Sequence, residues 1–220
     1  MPTQADIRGL IFDMDGVIAD TAEFHYQSWK QLADEEGIAF DRADNEQLRG
    51  KTRDVSLQIF TEGLEIDPET RTAWMARKNR YFHERMRQLQ PGDALPGITR
   101  LIATAQARGF KLGVGSSSRN ARPVLERLAL LDEFDVIGDG YLTHNSKPAP
   151  DIFLWVAGGL RLAPRHLLVI EDSEAGVQAA LTGGFYVVGV GSAPVQDAHA
   201  TYATLADVTL DDLLTAVQNP

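Results

Sequence analysis

The 220-residue chain contains no cysteine. That absence removes disulfides, thiol nucleophiles and thiolate zinc sites together, and it suits a reducing compartment. No apolar run approaches the length needed to span a bilayer, and the stretch MPTQADIRG lacks the charged and apolar regions of a signal peptide, so a cytoplasmic protein is expected. Basic charge is also scarce. The formal net charge is −10 and no basic stripe offsets it, which argues against nucleic acid as a partner. A small anionic ligand remains compatible, because one site needs only a few local cations. Repeats and low-complexity segments are missing, and only the tail after Asn219 is expected to fray.

Several familiar phosphate motifs are absent on inspection. Gly50, Lys51 and Thr52 imitate the end of a P-loop, but its first glycine would fall at position 45, which is Asn45. Gly113 and Gly115 would need a third glycine at 118 to form a dinucleotide fingerprint, and Ser118 stands there. No hydrolase-type nucleophile elbow occurs.

The length and ordinary composition, with 44% hydrophobic and 24% charged residues, fit one generous globular domain or a domain carrying an insert. Short apolar runs recur after turns: IRGLIF at 7–12, FKLGVG at 110–115, FDVIG at 134–138, HLLVI at 166–170 and FYVVGV at 185–190. Their length and β-branched content suit strands buried on both faces, and helix-length amphipathic segments separate most of them. The pattern predicts an α/β fold with a doubly wound parallel sheet. One interval breaks it. From about Thr21 to Asp93 no strand run appears, and TAEFHYQSWKQLADEEG and the stretch from Pro68 to Gln90 both read as helix. Some seventy residues are far too many for a βα loop. The expectation is a helical cap at 21–93, inserted into a core made of 1–20 and 94–220, with hinges near 16–21 and 91–96.

The chemistry-bearing residues cluster at strand ends. FDMDG places Asp13 and Asp15 directly behind the first apolar run, and Glu171 and Asp172 follow HLLVI in the same way. In an open parallel sheet, ligands bind beyond the carboxyl ends of the strands, where strand order reverses. If these strands are neighbours, three or four carboxylates converge, and unpaired unit charges at ~4 Å repel by roughly 4 kcal/mol at an effective dielectric of ~20. A cation is then required, and an all-oxygen donor set points to Mg²⁺. After FKLGVG come Ser116, Ser117 and Ser118, where helix capping accounts for only one, at a place suited to an anion. Lys147 lies in the loop NSKPAPD after FDVIG. Alone it would be an ordinary solvated lysine. In sequence order the four strand ends present carboxylate, hydroxyl, ammonium and carboxylate, the groups that a phosphoryl group and its metal require.

DxDG after the first strand, a hydroxyl after the second, a lysine in the third loop and an acidic pair after the fourth together resemble the haloacid dehalogenase superfamily of phosphotransferases. The helical interval resembles that superfamily's mobile cap. DGVIADTAEFHYQSW, NEQLRGKTRDVSLQ, ARKN, SSSRN and SKPAPDIF narrow the resemblance to its sugar-phosphate mutases. It implies Asp13 as a nucleophile that forms an aspartyl phosphate and Asp15 as general acid and base. It implies Mg²⁺ held by Asp13, the main-chain carbonyl of Asp15 and Asp172, with Glu171 at or near the metal. Ser116 and Lys147 would bind the transferring phosphoryl group, and Arg53, Ser118 and Asn120 a second phosphate at the far end of the sugar. Lys78 and His25 would couple cap closure to catalysis. Ser117 and Arg119 depart mildly from the family motif, where alanine and lysine are frequent.

The expected activity is interconversion of β-glucose 1-phosphate and glucose 6-phosphate through the 1,6-bisphosphate, with a phosphohydrolase of small sugar phosphates as the alternative. A receiver-like module that only accepts phosphate would need neither Asp15 nor a cap. RGKTR, with Arg49, Lys51 and Arg53 at alternate positions, offers a second phosphate site from the cap side, Arg53 by bidentate capture. Thr21, His25 and Trp29 fall at i, i+4 and i+8 on one helix face that would border the substrate, Trp29 mainly through packing. The expected partner is a small sugar phosphate, with no nucleic acid and no membrane, and the protein a monomer.

Overall fold

The computed structural model describes residues 6–191, 195 and 197–217. Most of the amino-terminal stretch considered above and the tail beyond Asn219 lie outside these. Six parallel strands form one sheet in the order β3-β2-β1-β4-β5-β6. They are β1 (Gly9–Phe12), β2 (Lys111–Gly115), β3 (Val136–Gly138), β4 (Leu167–Glu171), β5 (Tyr186–Val190) and β6 (Ala200–Tyr202). The five strands expected from apolar runs are all present. The sixth adds only Ala200, Thr201 and Tyr202 at an edge, too short and too exposed to leave an apolar signature.

Both faces of the sheet are covered, which is why its central strands read as continuous apolar runs rather than alternating ones. Leu10, Phe12, Leu112, Val114, Leu168 and Ile170 face one side, packed with α5 (Ile98–Ala107), α6 (Ala121–Arg127) and α9 (Leu210–Ala216). Ile11, Val169 and Val187 face the other, under α7 (Asp151–Leu160) and α8 (Glu174–Thr182). Strand β2 ends in Gly115 because α7 lies almost on its backbone: a Cβ there would stand 2.8 Å from the Phe153 ring. The doubly wound α/β architecture is therefore as predicted.

Between β1 and α5 the chain forms four helices, α1 (Thr21–Glu36), α2 (Arg42–Glu46), α3 (Arg53–Phe60) and α4 (Pro68–Met86). Helix α1 stops at Gly37 in the left-handed conformation, φ 70°. Helix α4 starts with Pro68 behind Asp67, whose carboxylate accepts from the N–H groups of Glu69 and Thr70. These helices have an apolar cluster of their own, including Trp29, Phe40, Leu57, Phe60 and Trp74, with the Trp29 and Phe60 rings 4.8 Å apart. Farther along α4, Phe82 and Met86 join the cluster of the sheet. The outgoing and returning chains run side by side, Ala19 bridging to both Asp15 and Ala94, and Leu95 N–H donating to the Ile18 carbonyl at 2.8 Å.

Candidate active site

The register of two strand pairs assembles the site. β1 lies between β2 and β4, with Phe12 opposite both Val114 and Ile170, so the residues that follow these strands emerge side by side. The connection after β1 leads toward β2, whereas β4 enters on the other side of β1, which makes this edge the reversal point of the sheet. Oxygen atoms of Asp13, Glu171 and Asp172 lie within 4.8 Å of one another, and all three residues are buried.

Lys147 closes the group from the neighbouring loop. Its ammonium, with the side chain fully buried, lies 2.5 Å from Asp13 Oδ1 and 3.4 Å from Glu171 Oε2. Burial alone would lower its pKa, but the Asp13 and Glu171 charges outweigh that and hold it above the ordinary lysine range. Its stem also carries the ammonium over the Phe153 ring, 4.7 Å from the centroid. Ser173 donates to Glu171 at 2.5 Å and, as N-cap of α8, accepts from Gly176 N–H. It reads in sequence as a plain helix cap, so its hold on Glu171 was not visible there. Burial pushes the carboxyls of Glu171 and Asp172 above their usual range, with the Asp13 charge adding to it. Three buried carboxylates made only of oxygen donors fit a hard divalent cation.

Gly16 makes this convergence possible. It has φ +89°, and a Cβ there would meet Asp172 Oδ2 at 1.9 Å. The resulting turn swings the Asp15 side chain away from the other acids to Thr21, whose hydroxyl donates to Asp15 Oδ1 at 2.5 Å. Enclosure, first, and the Asp13 charge, second, raise the Asp15 carboxyl to about 7 despite that hydrogen bond. His25 Nε2, shut off from solvent and without a hydrogen-bond partner, lies 3.6 Å from the same Asp15 oxygen. Its other nitrogen, Nδ1, lies 2.7 Å from Lys78 Nζ. Burial pushes Lys78 down to about 7, and burial together with the Lys78 charge holds His25 well below its ordinary value. His25 is therefore neutral, accepting at Nδ1 and carrying its hydrogen on Nε2, toward Asp15.

The loop between α2 and α3 reaches from the helical layer onto the sheet's carboxyl edge. Arg49 pairs with Asp172. Ser117 donates to the Gly50 carbonyl at 2.8 Å, Lys51 donates to the Lys147 carbonyl at 3.0 Å, and Thr52 N–H donates to Ser146 Oγ at 2.8 Å. Arg119 pairs with Asp54. These contacts border a cleft with about 80 Å³ of room for the centres of water-sized molecules. Asp13, Asp15, His25, Trp29, Arg53, Lys78, Ser118 and Asp172, all singled out in the sequence, line it. Thr21, Ser116, Asn120, Lys147 and Glu171 stand behind that wall. The Ser116 hydroxyl accepts from Ser118 N–H at 3.0 Å, and Ser118 Oγ from Asn120 N–H at 3.1 Å, which shapes the turn 116–120. Trp29 is only 2% exposed and packs on Phe60, with Lys78 Nζ 5.1 Å above its ring.

Residues 10–190 match the family described as haloacid dehalogenase-like hydrolase. The chain belongs to this family. Within the haloacid dehalogenase-like hydrolases it is 40% identical over 210 residues to a β-phosphoglucomutase of Bacillus subtilis, covering 93% of each protein. A fructose-1-phosphate phosphatase of Escherichia coli is 32% identical, covering 83% of this chain and 95% of that protein. Among solved structures, a β-phosphoglucomutase from Clostridium difficile superposes with a TM-score of 0.91 at 34% identity, covering 96% of both chains. Sugar phosphates are named in the first two. Among the described residues, no helix is long and apolar enough to cross a membrane.

Proposed function

We propose that this chain is a mutase that interconverts β-D-glucose 1-phosphate and glucose 6-phosphate through β-glucose 1,6-bisphosphate and an aspartyl-phosphate enzyme. The observation that carries the reading is that Arg53, a cation not tied to the sheet edge, lines the same cleft as Asp13, the acid that pairs with Lys147. A bisphosphate needs two anion sites facing each other, and Arg53 supports the reading that this cleft holds the second. Arg49 and Lys51 are tied to the sheet edge, while the Arg53 guanidinium lines the cleft and donates to Asn79 at 2.7 Å. Arg53 is therefore assigned to the remote phosphate, with Ser118 and Asn120.

In the first transfer an Asp13 carboxylate oxygen attacks phosphorus, the bond from phosphorus to the sugar oxygen breaks, and Asp15 gives that oxygen a proton. In the second, Asp15 takes the proton from a sugar hydroxyl as its oxygen attacks the aspartyl phosphate, restoring Asp13 and forming the bisphosphate. When the bisphosphate returns with its ends exchanged, the first of these steps alone releases glucose 6-phosphate and leaves Asp13 phosphorylated for the next β-glucose 1-phosphate. Lys147 and Ser116 hold the transferring phosphoryl group, the ammonium meeting charge that develops on its oxygens. A value near 7 suits Asp15 to both of its tasks. Mg²⁺, held by Asp13, Asp172, the Asp15 main-chain carbonyl and Glu171 directly or through water, would supply further charge stabilisation for the phosphoryl oxygens.

Residues 21–93 act as the cap and residues 1–20 with 94–220 as the catalytic body. Binding of the remote phosphate by Arg53 favours the closed arrangement, excludes water and brings Thr21, His25, Trp29 and Lys78 around Asp15 and the sugar. One chain supplies both sides of the cleft, which supports a monomer, and we assign it to the cytoplasm.

The test is to mix protein, Mg²⁺, β-glucose 1-phosphate and a trace of the 1,6-bisphosphate, then follow glucose 6-phosphate against free phosphate. Isomerisation should run far ahead of hydrolysis, and Asp13→Asn should abolish both. Arg53→Ala should impair isomerisation while sparing metal binding. Phosphate release without isomer would identify a sugar-phosphate hydrolase instead.

A further inference from the structure

Helix α4 carries a polar chain that ends on a residue outside the cleft. Arg53 Nη2 donates to Asn79 Oδ1 at 2.7 Å, Asn120 Nδ2 lies 3.3 Å from the same oxygen, and Asn120 Oδ1 lies 3.0 Å from His83 Nε2. The directions of these bonds follow from the first one. A guanidinium can only donate, so the Asn79 amide must turn its oxygen to Arg53, and Asn120 must then meet that oxygen with its nitrogen. This leaves the Asn120 oxygen facing His83, whose Nε2 must donate. The approach of Asn79 Nδ2 to His83 Nε2, at 3.4 Å, then sets donor against donor and is no bond.

Asn120 is 5% exposed and directly precedes α6, while Asn79 and His83 stand one turn apart on α4. The chain thus crosses from the cap helix to the phosphate turn 116–120 and back to Arg53. We infer that His83 is a positioning residue for the remote phosphate: by fixing the Asn120 amide it fixes Asn79, and through Asn79 the guanidinium of Arg53. This inference rests on the assignment of Arg53 to that phosphate. An Asn120 amide released from His83 can rotate, present its nitrogen to Asn79 less often, and leave Arg53 several orientations where the phosphate needs one. The side chain of His83 touches neither the reacting atoms nor Asp13.

The experiment compares the wild type with His83→Leu, which removes the donor, and His83→Gln, which keeps one. Two phosphoryl donors are used: the sugar bisphosphate, which engages the remote site, and acetyl phosphate, which has no second phosphate. His83→Leu should raise KM for β-glucose 1-phosphate and for the bisphosphate by about tenfold, the scale of one hydrogen bond near a charge. Phosphorylation of Asp13 by acetyl phosphate, read by intact-protein mass, should stay within about twofold of wild type, on the same scale. His83→Gln should restore most of the affinity. In an Arg53→Ala background His83→Leu should add almost nothing, because the two act in series. Sugar KM unchanged in His83→Leu, equal losses with both donors, or full additivity with Arg53→Ala would each overturn the inference alone. Failure of acetyl phosphate to modify wild-type Asp13 would overturn the underlying reading and this inference with it.

Discussion

Lys78 on α4 and His25 on α1 meet across 2.7 Å, although both are bases. Burial and Arg53 lower Lys78 from its ordinary value of 10.5 to about 7. The unfolded chain therefore binds a proton that the folded chain lacks between about 7 and 10.5, and stability rises with pH through that window. Below about 7 both states are protonated and the full penalty of burying the ammonium is present. Lys78→Met should accordingly be more stable than wild type by about 2–4 kcal/mol at pH 6, an advantage that shrinks toward pH 10. Urea unfolding at the two pH values measures it. Turnover should fall in the same variant, and an equal stability gain at both pH values would show that Lys78 is not the titrating group.

Lys147→Met leaves Asp13, Glu171 and Asp172 facing one another without the ammonium that bridges two of them. Breaking a buried pair on one side costs about 3–5 kcal/mol, because the remaining charges stay buried. Millimolar Mg²⁺ should recover part of that loss by supplying positive charge at the same place, so the rise in Tm on adding Mg²⁺ should be larger in the variant than in wild type. Turnover should drop by roughly 100- to 1000-fold, the scale of losing one preorganised donor at a transferring group. An identical Mg²⁺ effect on both proteins would count against a metal at these carboxylates.

Gly16→Ala combines two penalties that a second glycine separates. At Gly16 a Cβ meets Asp172 Oδ2 at 1.9 Å with φ +89°, whereas at Gly37, with φ +70°, nothing lies within 4 Å. Gly37→Ala should lose about 1 kcal/mol of stability, the cost of the left-handed conformation, with unchanged metal affinity. Gly16→Ala should lose more and weaken Mg²⁺ binding by about tenfold or more, as read by calorimetric titration. Equal metal affinity in the two variants would mean that Asp172 can move aside without consequence.

How much of this was legible before folding depends on the distance over which each residue acts. Asp13 and Glu171 could be read because each directly follows an apolar run in the sequence, and the parallel register of Phe12 with Ile170 does the rest. Lys147 could not be weighted by its sequence, since a loop lysine is ordinarily solvated; the decisive fact is a side chain with no exposure, held between two acids and Phe153. Strand β6 has only three residues at an edge, partly exposed, and carries no apolar run. Asn79 and His83 lie on a helix rich in polar residues, where one more polar pair at i and i+4 means nothing until the turn holding Asn120 is packed against it. Asn120 was expected to help hold phosphate, and the contacts of its amide with Asn79 and His83 had no signal in the sequence.

Arg49 and Asp172 join the loop between α2 and α3 to one of the clustered acids, so that whatever moves this loop also acts on the proposed metal site. The guanidinium and a divalent cation both seek the same carboxylate, which is 7% exposed and has few other ways to be neutralised. Whatever binds that oxygen first weakens the other by the same factor, since linkage is reciprocal. Arg49→Met should therefore bind Mg²⁺ more tightly in the absence of sugar phosphate, by roughly three- to tenfold, equivalent to ~0.6–1.4 kcal/mol. It should also close less readily, and KM for β-glucose 1-phosphate should rise. Titration calorimetry with Mg²⁺ alone reads the first effect and steady-state kinetics the second. Weaker Mg²⁺ binding by Arg49→Met would mean that the arginine orients Asp172 for the metal rather than competing with it, and the antagonism between cap closure and metal entry would be lost.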